Sequence, residues 1–221
     1  MIVEKNSSEI KRENGFIVFE GVNGCGKSTA RKTAARLLAE MNISAVETFE
    51  PGSGTLGGIL RPLILGEKAA WRSPIAELLL FGADRAGHVT EVIKPALEEN
   101  HIVLCDRYYY STVAFQGYGR GVDLSLIKTV NDSAVAGVVP DLVLLFDLDP
   151  LIGLKRTLRR APSESGDDSF EKEDLAFHNR IRSGYLELAR TALERFVIID
   201  ASRELQVVED AVIKVLEHYL R

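Results

Sequence analysis

The chain has 221 residues, of which 46% are hydrophobic and 27% charged, with two cysteines and a formal net charge of −5. These values are typical of a globular protein and argue against a disulfide scaffold and against broad binding to nucleic acid, which usually needs a basic face. No apolar run approaches the roughly 20 residues of a membrane helix, and residues 1–14 lack the apolar stretch of a signal peptide. We therefore expect a cytoplasmic protein without membrane contact, in which a polar N-terminal extension at 1–14 precedes a single domain at 15–221.

Short apolar segments rich in β-branched and aromatic residues alternate along the chain with longer segments of helical periodicity. The predicted strands are Phe16–Phe19, Ile43–Thr48, Ile102–Cys105, Leu142–Phe146 and Phe196–Ile199. The predicted helices are Thr29–Met41, Ile75–Glu99, Leu124–Ala136, Leu151–Arg160, Glu171–Glu194 and Leu205–Tyr219. Because such alternation gives a parallel sheet covered on both faces, the pattern predicts an α/β protein with about five parallel strands in three layers.

A glycine-rich segment stands directly between the first predicted strand and the first predicted helix. Residues 21–28 read Gly-Val-Asn-Gly-Cys-Gly-Lys-Ser, the pattern of a P-loop, in which glycines let backbone N–H groups face phosphate oxygens. Lys27 is then placed to reach the β- and γ-phosphates of ATP, and the Ser28 hydroxyl to bind Mg²⁺. The residues predicted to bind the nucleotide are Gly21, Val22, Asn23, Gly24, Cys25, Gly26, Lys27, Ser28 and Thr29.

A charged pair, Asp106-Arg107, follows the predicted strand at 102–105. Ligands of open parallel sheets bind outside the carboxyl ends of the strands, so the pair is well placed for chemistry. The carboxylate could hold Mg²⁺, and the guanidinium could bind a phosphate through two parallel hydrogen bonds. A plain ion pair at the turn is the alternative interpretation.

The most loop-like segment inside the domain is 161–169, which reads Ala-Pro-Ser-Glu-Ser-Gly-Asp-Asp-Ser. Its position between two charged helical segments predicts a short lid over a site.

From Gly15 onward the ordered motifs resemble the thymidylate kinase family in its bacterial form. The most specific of them is Asp106-Arg-Tyr with Ser-Thr-Val-Ala-Phe-Gln at 111–116. The others are Phe-Glu-Gly before the P-loop, Glu-Pro-Gly at 50–52, Phe-Gly-Ala-Asp-Arg-Ala-Gly-His at 81–88, Gly-Tyr-Gly-Arg-Gly at 117–121, Pro-Asp-Leu at 140–142 and Phe-His-Asn-Arg-Ile-Arg-Ser-Gly-Tyr at 177–185. The resemblance implies a nucleoside monophosphate kinase-like fold, phosphorylation of dTMP to dTDP by ATP with Mg²⁺, and a homodimer.

The resemblance also implies a role for individual residues. Phe81 would stack on the thymine ring, Arg85 would bond an exocyclic oxygen of the base, and Arg107 would hold the phosphate of the acceptor. Asp106 would support Mg²⁺ and the reacting phosphates. Further residues of the implied acceptor site are Asn23, Glu50, Pro51, Ser111, Thr112 and Phe115, and the implied sources of positive charge at the lid are Arg156 and Arg160.

Several plainer interpretations stand beside these roles. Phe81 is equally well explained as a core residue, and Arg156 and Arg160 as a solvated basic helix end. The chain also departs from the usual pattern of the family at three positions. They are Asn23, where the family usually has an acid, Phe49, where it usually has an arginine, and Ser169, where the lid usually carries an arginine. The alternative functions are a kinase of another nucleoside monophosphate or of a nucleoside, and a P-loop nucleotide-binding switch.

Overall fold

The structure is a computed structural model that describes residues 14–66, 73–159 and 169–221. Most of the predicted N-terminal extension and lid, together with Arg160, lie outside the described residues. Five parallel strands form one sheet in the order β2-β3-β1-β4-β5. They are β1 (Gly15–Gly21), β2 (Ala45–Phe49), β3 (Ile102–Asp106), β4 (Leu142–Asp147) and β5 (Phe196–Asp200), which confirms the predicted parallel α/β architecture.

Helical segments connect the strands. The α-helices are α1 (Lys27–Glu40), α2 (Gly54–Leu65), α3 (Pro74–His88), α4 (Lys94–Glu98), α5 (Tyr109–Thr112), α6 (Leu124–Val135), α7 (Pro150–Thr157), α8 (Leu175–Thr191) and α9 (Leu205–Leu220). A π-helical segment, Val89–Ile93, joins α3 to α4, a second, Val113–Gly119, prolongs α5, and a 3₁₀ turn, Ser169–Lys172, stands before α8. Among the described helices, none has both the length and the apolar character needed to cross a membrane.

The helical segments differ from the prediction in three places. The sequence did not predict α2, because its three glycines and Pro62 are poor helix formers. It also did not predict the helical segment at 109–119. The predicted helix at 171–194 is a 3₁₀ turn followed by α8, because Asp174 caps the N-terminus of α8 by accepting a hydrogen bond from the Phe177 N–H at 2.6 Å.

The core lies on both faces of the sheet. Ile17 and Phe19 of β1 belong to one buried cluster with residues of α1 and α9, whereas Phe16 and Val18 belong to another with Val89 and Ile93. Alternate residues of one strand therefore serve opposite layers, which explains why the strand is apolar throughout.

The sheet order places the two sequence motifs side by side. β1 pairs with β3 on one side and with β4 on the other, so the chain reverses its winding direction at β1. Such a reversal opens a crevice at the carboxyl ends of the strands. The segment that follows β1 and the pair that ends β3, Asp106-Arg107, both face this crevice.

Candidate active site

A cavity of about 410 Å³ opens at the carboxyl ends of β1 and β3. Most residues predicted from the sequence meet in its wall: Asn23, Gly24, Gly26, Lys27, Ser28, Thr29, Glu50, Pro51, Phe81, Asp106, Arg107, Ser111 and Phe115. Gly21, Val22 and Cys25 are buried in the loop that carries this wall. The wall also contains residues to which the sequence analysis assigned no role in the site: Arg31, Phe49, Arg61, Leu65, Gln116, Phe170 and Glu171.

The P-loop owes its shape to glycines at two positions. Gly24 has a φ of +74°, and a Cβ there would meet the Gly153 carbonyl oxygen at 2.2 Å, so no larger residue fits. Gly26 has a φ of +96° and leads directly into α1. The loop therefore wraps tightly and presents the N-terminus of a 14-residue helix to the cavity, which favours bound phosphate.

Lys27 is buried at the base of the loop. Its Nζ donates hydrogen bonds to the carbonyl oxygens of Gly21 at 3.0 Å and Val22 at 2.9 Å. Burial, together with the nearby Arg107 cation, lowers the pKa of Lys27. The ammonium group is thus held in the cavity by neutral carbonyl oxygens, and an anionic ligand would be a stronger partner.

Two oxygen groups suited to Mg²⁺ meet in the cavity wall. The Ser28 hydroxyl donates to Asp106 Oδ2 at 2.7 Å, although the two residues are 78 positions apart. No group of three or more potential metal-ligating side chains occurs in the described parts of the chain. A hydroxyl and a carboxylate fit Mg²⁺, which takes few protein ligands and completes its shell with water and substrate phosphates.

Arg107 adopts an uncommon backbone conformation directly after β3. Its φ is +70°, and its guanidinium is anchored by neutral oxygens: Asn23 Oδ1 at 2.6 Å, the Gly21 carbonyl at 3.1 Å, Ser111 Oγ at 3.1 Å and the Tyr185 hydroxyl at 3.2 Å. The Arg107 guanidinium therefore does not form the plain ion pair with Asp106 that was the alternative interpretation of the sequence. A buried guanidinium whose hydrogen-bond acceptors are neutral can exchange them for the charged oxygens of an incoming phosphate.

Aromatic rings form the opposite part of the cavity. The centroid of Phe170 lies 6.1 Å from that of Phe81 and 5.4 Å from that of Phe115. The guanidinium carbon of Arg107 lies 5.1 Å from the centroid of Phe115. The cavity thus joins a cationic end to an apolar aromatic end, as a nucleotide with a phosphate and a planar base requires.

Arg85 and Thr112 do not line the cavity. Arg85 is 1% exposed and donates to Glu50 Oε2 at 2.9 Å, to Asn131 Oδ1 at 2.9 Å and to Thr112 Oγ1 at 3.0 Å. Glu50, which does line the cavity, also bonds His88 Nδ1 at 2.9 Å. In this structure Arg85 therefore supports the cavity wall from behind, through Glu50.

Arg156 is also placed away from the cavity wall. It lies on α7, and its Nη1 donates to the carbonyl oxygen of Ala201 at 3.3 Å, in the turn after β5. Among the described residues, the cations that line the cavity are Lys27, Arg31, Arg61 and Arg107. The predicted role of Arg156 at the transferring phosphate would require movement of α7.

Asp84 is a buried carboxyl beside this network. Its Oδ1 accepts from the Gly52 N–H at 2.9 Å, whereas no described residue bonds its Oδ2. Burial and the adjacent Glu50 carboxylate raise the pKa of Asp84 to about 6.

This raised pKa predicts a specific pH dependence of stability. The folded protein holds a proton at Asp84 more tightly than the unfolded chain, so the contribution of Asp84 to the free energy of unfolding falls as the pH rises from 4 to 6. We expect the wild type to lose about 2–3 kcal/mol relative to Asp84→Asn between pH 4 and 7, measured by urea denaturation. Asp210→Asn, at an exposed site, is the control and should keep the wild-type dependence. The prediction would be contradicted if the free energy of unfolding depended on pH in the same way in the wild type and in Asp84→Asn.

Comparison with known proteins decides which family has this site. The family model described as thymidylate kinase matches residues 19–212. This chain belongs to the thymidylate kinase family. The predicted family, and with it the predicted nucleoside monophosphate kinase class, is confirmed.

Several thymidylate kinases are similar over nearly their whole length. The thymidylate kinase of Solidesulfovibrio magneticus is 47% identical over 200 residues, which cover 89% of this chain and 96% of that protein. That of Oleidesulfovibrio alaskensis is 50% identical over 190 residues, covering 85% and 90%. The crystal structure of thymidylate kinase from Ehrlichia chaffeensis matches with a TM-score of 0.73 and 34% identity, covering 92% of this chain and 98% of that one.

Two of the three departures from the usual thymidylate kinase pattern, Asn23 and Phe49, lie in the cavity wall. Asn23 keeps a polar contact with Arg107 through its Oδ1, and its Nδ2 lies 3.5 Å from Glu171 Oε1. Phe49 stands where the family usually has arginine, and the guanidinium of Arg61 on the unpredicted helix α2 lies 5.3 Å from the centroid of its ring. A cation is thus present beside position 49, although it comes from another element.

Proposed function

We propose that the chain transfers the γ-phosphoryl group of ATP to the phosphate of dTMP. One observation carries the proposal. The P-loop, with Lys27 at its base, and Arg107, at the end of the neighbouring strand, face one cavity that ends in the aromatic wall around Phe81 and Phe115. This arrangement supports binding of two phosphorylated ligands at once, with one base against the aromatic rings.

The residues act mainly by positioning and by offsetting charge, because phosphoryl transfer requires little covalent chemistry from the protein. The P-loop N–H groups and Lys27 hold the triphosphate. Arg107 binds the phosphate of dTMP, reduces the repulsion between the two anions and aligns an acceptor oxygen. That oxygen is already deprotonated near pH 7, so the reaction needs no general base.

Ser28 and Asp106 are the residues that would hold Mg²⁺ with the nucleotide. When bound, the ion neutralises charge on the β- and γ-phosphates. The 2.7 Å contact between the two side chains places both oxygens at one point of the P-loop rim. Removal of Mg²⁺ with a chelator should abolish turnover.

The substrate assignment is tested by ADP release from ATP and Mg²⁺ with one acceptor at a time: dTMP, dUMP, UMP, dCMP, AMP, GMP or thymidine. We expect strong stimulation by dTMP, with dUMP weaker. Stimulation by another acceptor alone would keep the chemistry and reassign the aromatic end of the cavity. Slow hydrolysis that no acceptor stimulates would favour a nucleotide-binding switch instead.

Phe81 is the residue that we assign to stacking on the thymine ring. Its ring lines the cavity beside Phe170, so truncation should weaken the binding of dTMP by about 1–3 kcal/mol, the usual value of a base–aromatic contact. The measurement is the dissociation constant of dTMP for Phe81→Ala, with Phe81→Tyr as the control that retains a ring. A lower melting temperature with unchanged dTMP affinity would assign Phe81 to the core.

We further infer a homodimer formed through an apolar surface on α2 and α3. This surface consists of Ile59, Leu63, Ile75 and Leu79, which are 65%, 54%, 43% and 55% exposed. Such exposed apolar side chains on adjacent helices are typical of a subunit interface. Leu79→Glu should convert the dimer to a monomer in analytical ultracentrifugation, whereas Leu193→Glu, at a fully exposed site outside this surface, should not. A monomeric wild type would contradict the inference.

A further inference from the structure

A buried carboxylate lies directly beneath Arg107. Glu20 is the penultimate residue of β1 and is 0% exposed. Its Oε1 accepts from the backbone N–H groups of Tyr108 at 2.9 Å and Ser111 at 3.2 Å. Its Oε2 accepts from the Ser111 hydroxyl at 2.7 Å and the Tyr185 hydroxyl at 2.9 Å. The carboxylate thus binds three segments of the chain: the turn after β3, the short helix α5 and the middle of α8.

The same two hydroxyl groups contact Arg107. Its Nη1 donates to Ser111 Oγ at 3.1 Å and to the Tyr185 hydroxyl at 3.2 Å, and these two oxygens are 2.8 Å apart. A guanidinium can only donate hydrogen bonds, and an ionised carboxylate can only accept them. Each hydroxyl therefore turns its proton away from Arg107 and leaves a lone pair facing it. The Glu20 carboxylate fixes this orientation of the two hydroxyl groups, because it accepts both of their protons.

The hydrogen bonds from Glu20 to the backbone also help to position Arg107. Arg107 has a left-handed backbone conformation, which is unfavourable for a residue with a side chain. The Glu20 bonds to the N–H groups of Tyr108 and Ser111 hold the chain immediately after that residue. Glu20 consequently constrains both the backbone that carries Arg107 and the acceptors that orient its guanidinium.

We propose that Glu20 is a positioning residue for the acceptor phosphate, acting through Ser111 and Tyr185 on Arg107. The proposal rests on the function proposed above, in which Arg107 binds the phosphate of dTMP. A carboxylate with a purely structural role would accept hydrogen bonds from buried donors that have no contact with the substrate-binding residues. Here both side-chain donors to Glu20 among the described residues, Ser111 and Tyr185, are also partners of Arg107, whose guanidinium faces the cavity. Burial raises the pKa of Glu20, so retaining an acid at this place is costly.

Glu20→Gln tests the proposal with almost no change in volume. The amide replaces one acceptor oxygen with a donor, so at least one hydroxyl must reverse and present its proton toward Arg107. We expect the dissociation constant of dTMP, measured by calorimetry, to rise about tenfold, the effect of losing one charge-assisted hydrogen bond. The dissociation constant of ATP should change less than about twofold, because the P-loop contacts remain.

A double-mutant cycle separates positioning from a structural role. In Arg107→Ala, the addition of Glu20→Gln should weaken dTMP binding by less than about twofold, since the residue on which Glu20 acts is gone. Tyr185→Phe should weaken dTMP binding as Glu20→Gln does. Tyr108→Phe is its matched control, because this hydroxyl is bonded to the Val138 carbonyl, at 3.1 Å, rather than to Glu20. The Tyr108→Phe substitution should lower the melting temperature without changing the affinity for dTMP.

Four results would overturn the proposal. Equal weakening of ATP and dTMP, or effects of Glu20→Gln that multiply with those of Arg107→Ala, would assign Glu20 to the fold alone. Unchanged dTMP affinity in Arg107→Ala would remove the proposed function of Arg107 and the role of Glu20 together. Weaker binding in Arg107→Ala with wild-type affinity in Glu20→Gln would refute only the positioning role.

Discussion

Lys27→Ala should lower kcat by about a thousandfold or more, measured as ADP release at saturating ATP and acceptor. The expected size reflects the position of Lys27, whose ammonium group lies at the base of the P-loop with only neutral carbonyl oxygens as close oxygen partners. Without Lys27, the P-loop would have no buried cation to stabilise the negative charge that develops on the transferring phosphoryl group. Turnover within a few-fold of wild type would refute the assignment of the P-loop as the donor site.

The fold should survive the same substitution. Burial and the repulsion from Arg107 lower the pKa of Lys27, so the charged side chain is unfavourable in the protein without ligands. We therefore expect the melting temperature of Lys27→Ala to equal or exceed that of the wild type in buffer without anionic ligands. Lys32→Ala is the matched control on the same helix, since Lys32 is exposed and outside the cavity wall, and it should retain wild-type turnover.

Arg107→Ala should reduce kcat/KM for dTMP by about a hundredfold, because a buried bidentate contact to phosphate is worth about 2–3 kcal/mol. Arg107→Lys should recover only part of the loss, since an ammonium group keeps the charge but not the planar fork. The measurement is steady-state kinetics with dTMP varied at saturating ATP.

Arg190→Ala provides the control for loss of an arginine elsewhere. Arg190 is an exposed residue of α8 that pairs with Glu187 at 2.7 Å and is not part of the cavity wall, so its replacement should leave the use of both substrates unaffected. An Arg107→Ala enzyme with wild-type KM and kcat for dTMP would exclude Arg107 from the acceptor site.

The parts of the site that could be predicted from the sequence are those fixed by local geometry. The P-loop is one continuous segment whose glycines, lysine and serine determine its shape. Asp106 and Arg107 could be placed because the carboxyl end of any strand in a parallel sheet lies at the ligand-binding edge. The confirmed fold class followed from the alternation of apolar strands with helices.

The parts that could not be predicted depend on distant segments. Phe81 and Arg85 lie on the same helix, yet Phe81 lines the cavity and Arg85 turns away, because Glu50, Asn131 and Thr112 supply acceptors behind the wall. Arg61 was missed because α2 contains residues that disfavour helices. Glu20 was missed because its bonding partners include Tyr185, which is 165 positions away. The sequence feature that could have indicated a role for Glu20 is its position as a single acidic residue at the end of a buried apolar strand.

Burial and the neighbouring Arg107 cation make the charge of Lys27 unfavourable in the protein without ligands, and a bound anion can relieve this cost. Preferential binding of an anion to the folded state shifts the folding equilibrium by mass action. The thermal stability of the preparation should therefore depend on buffer composition and rise with inorganic phosphate, pyrophosphate or the product nucleotides. The same site would make the enzyme sensitive to accumulated product, since ADP or dTDP left in the cavity relieves the repulsion as effectively as substrate does.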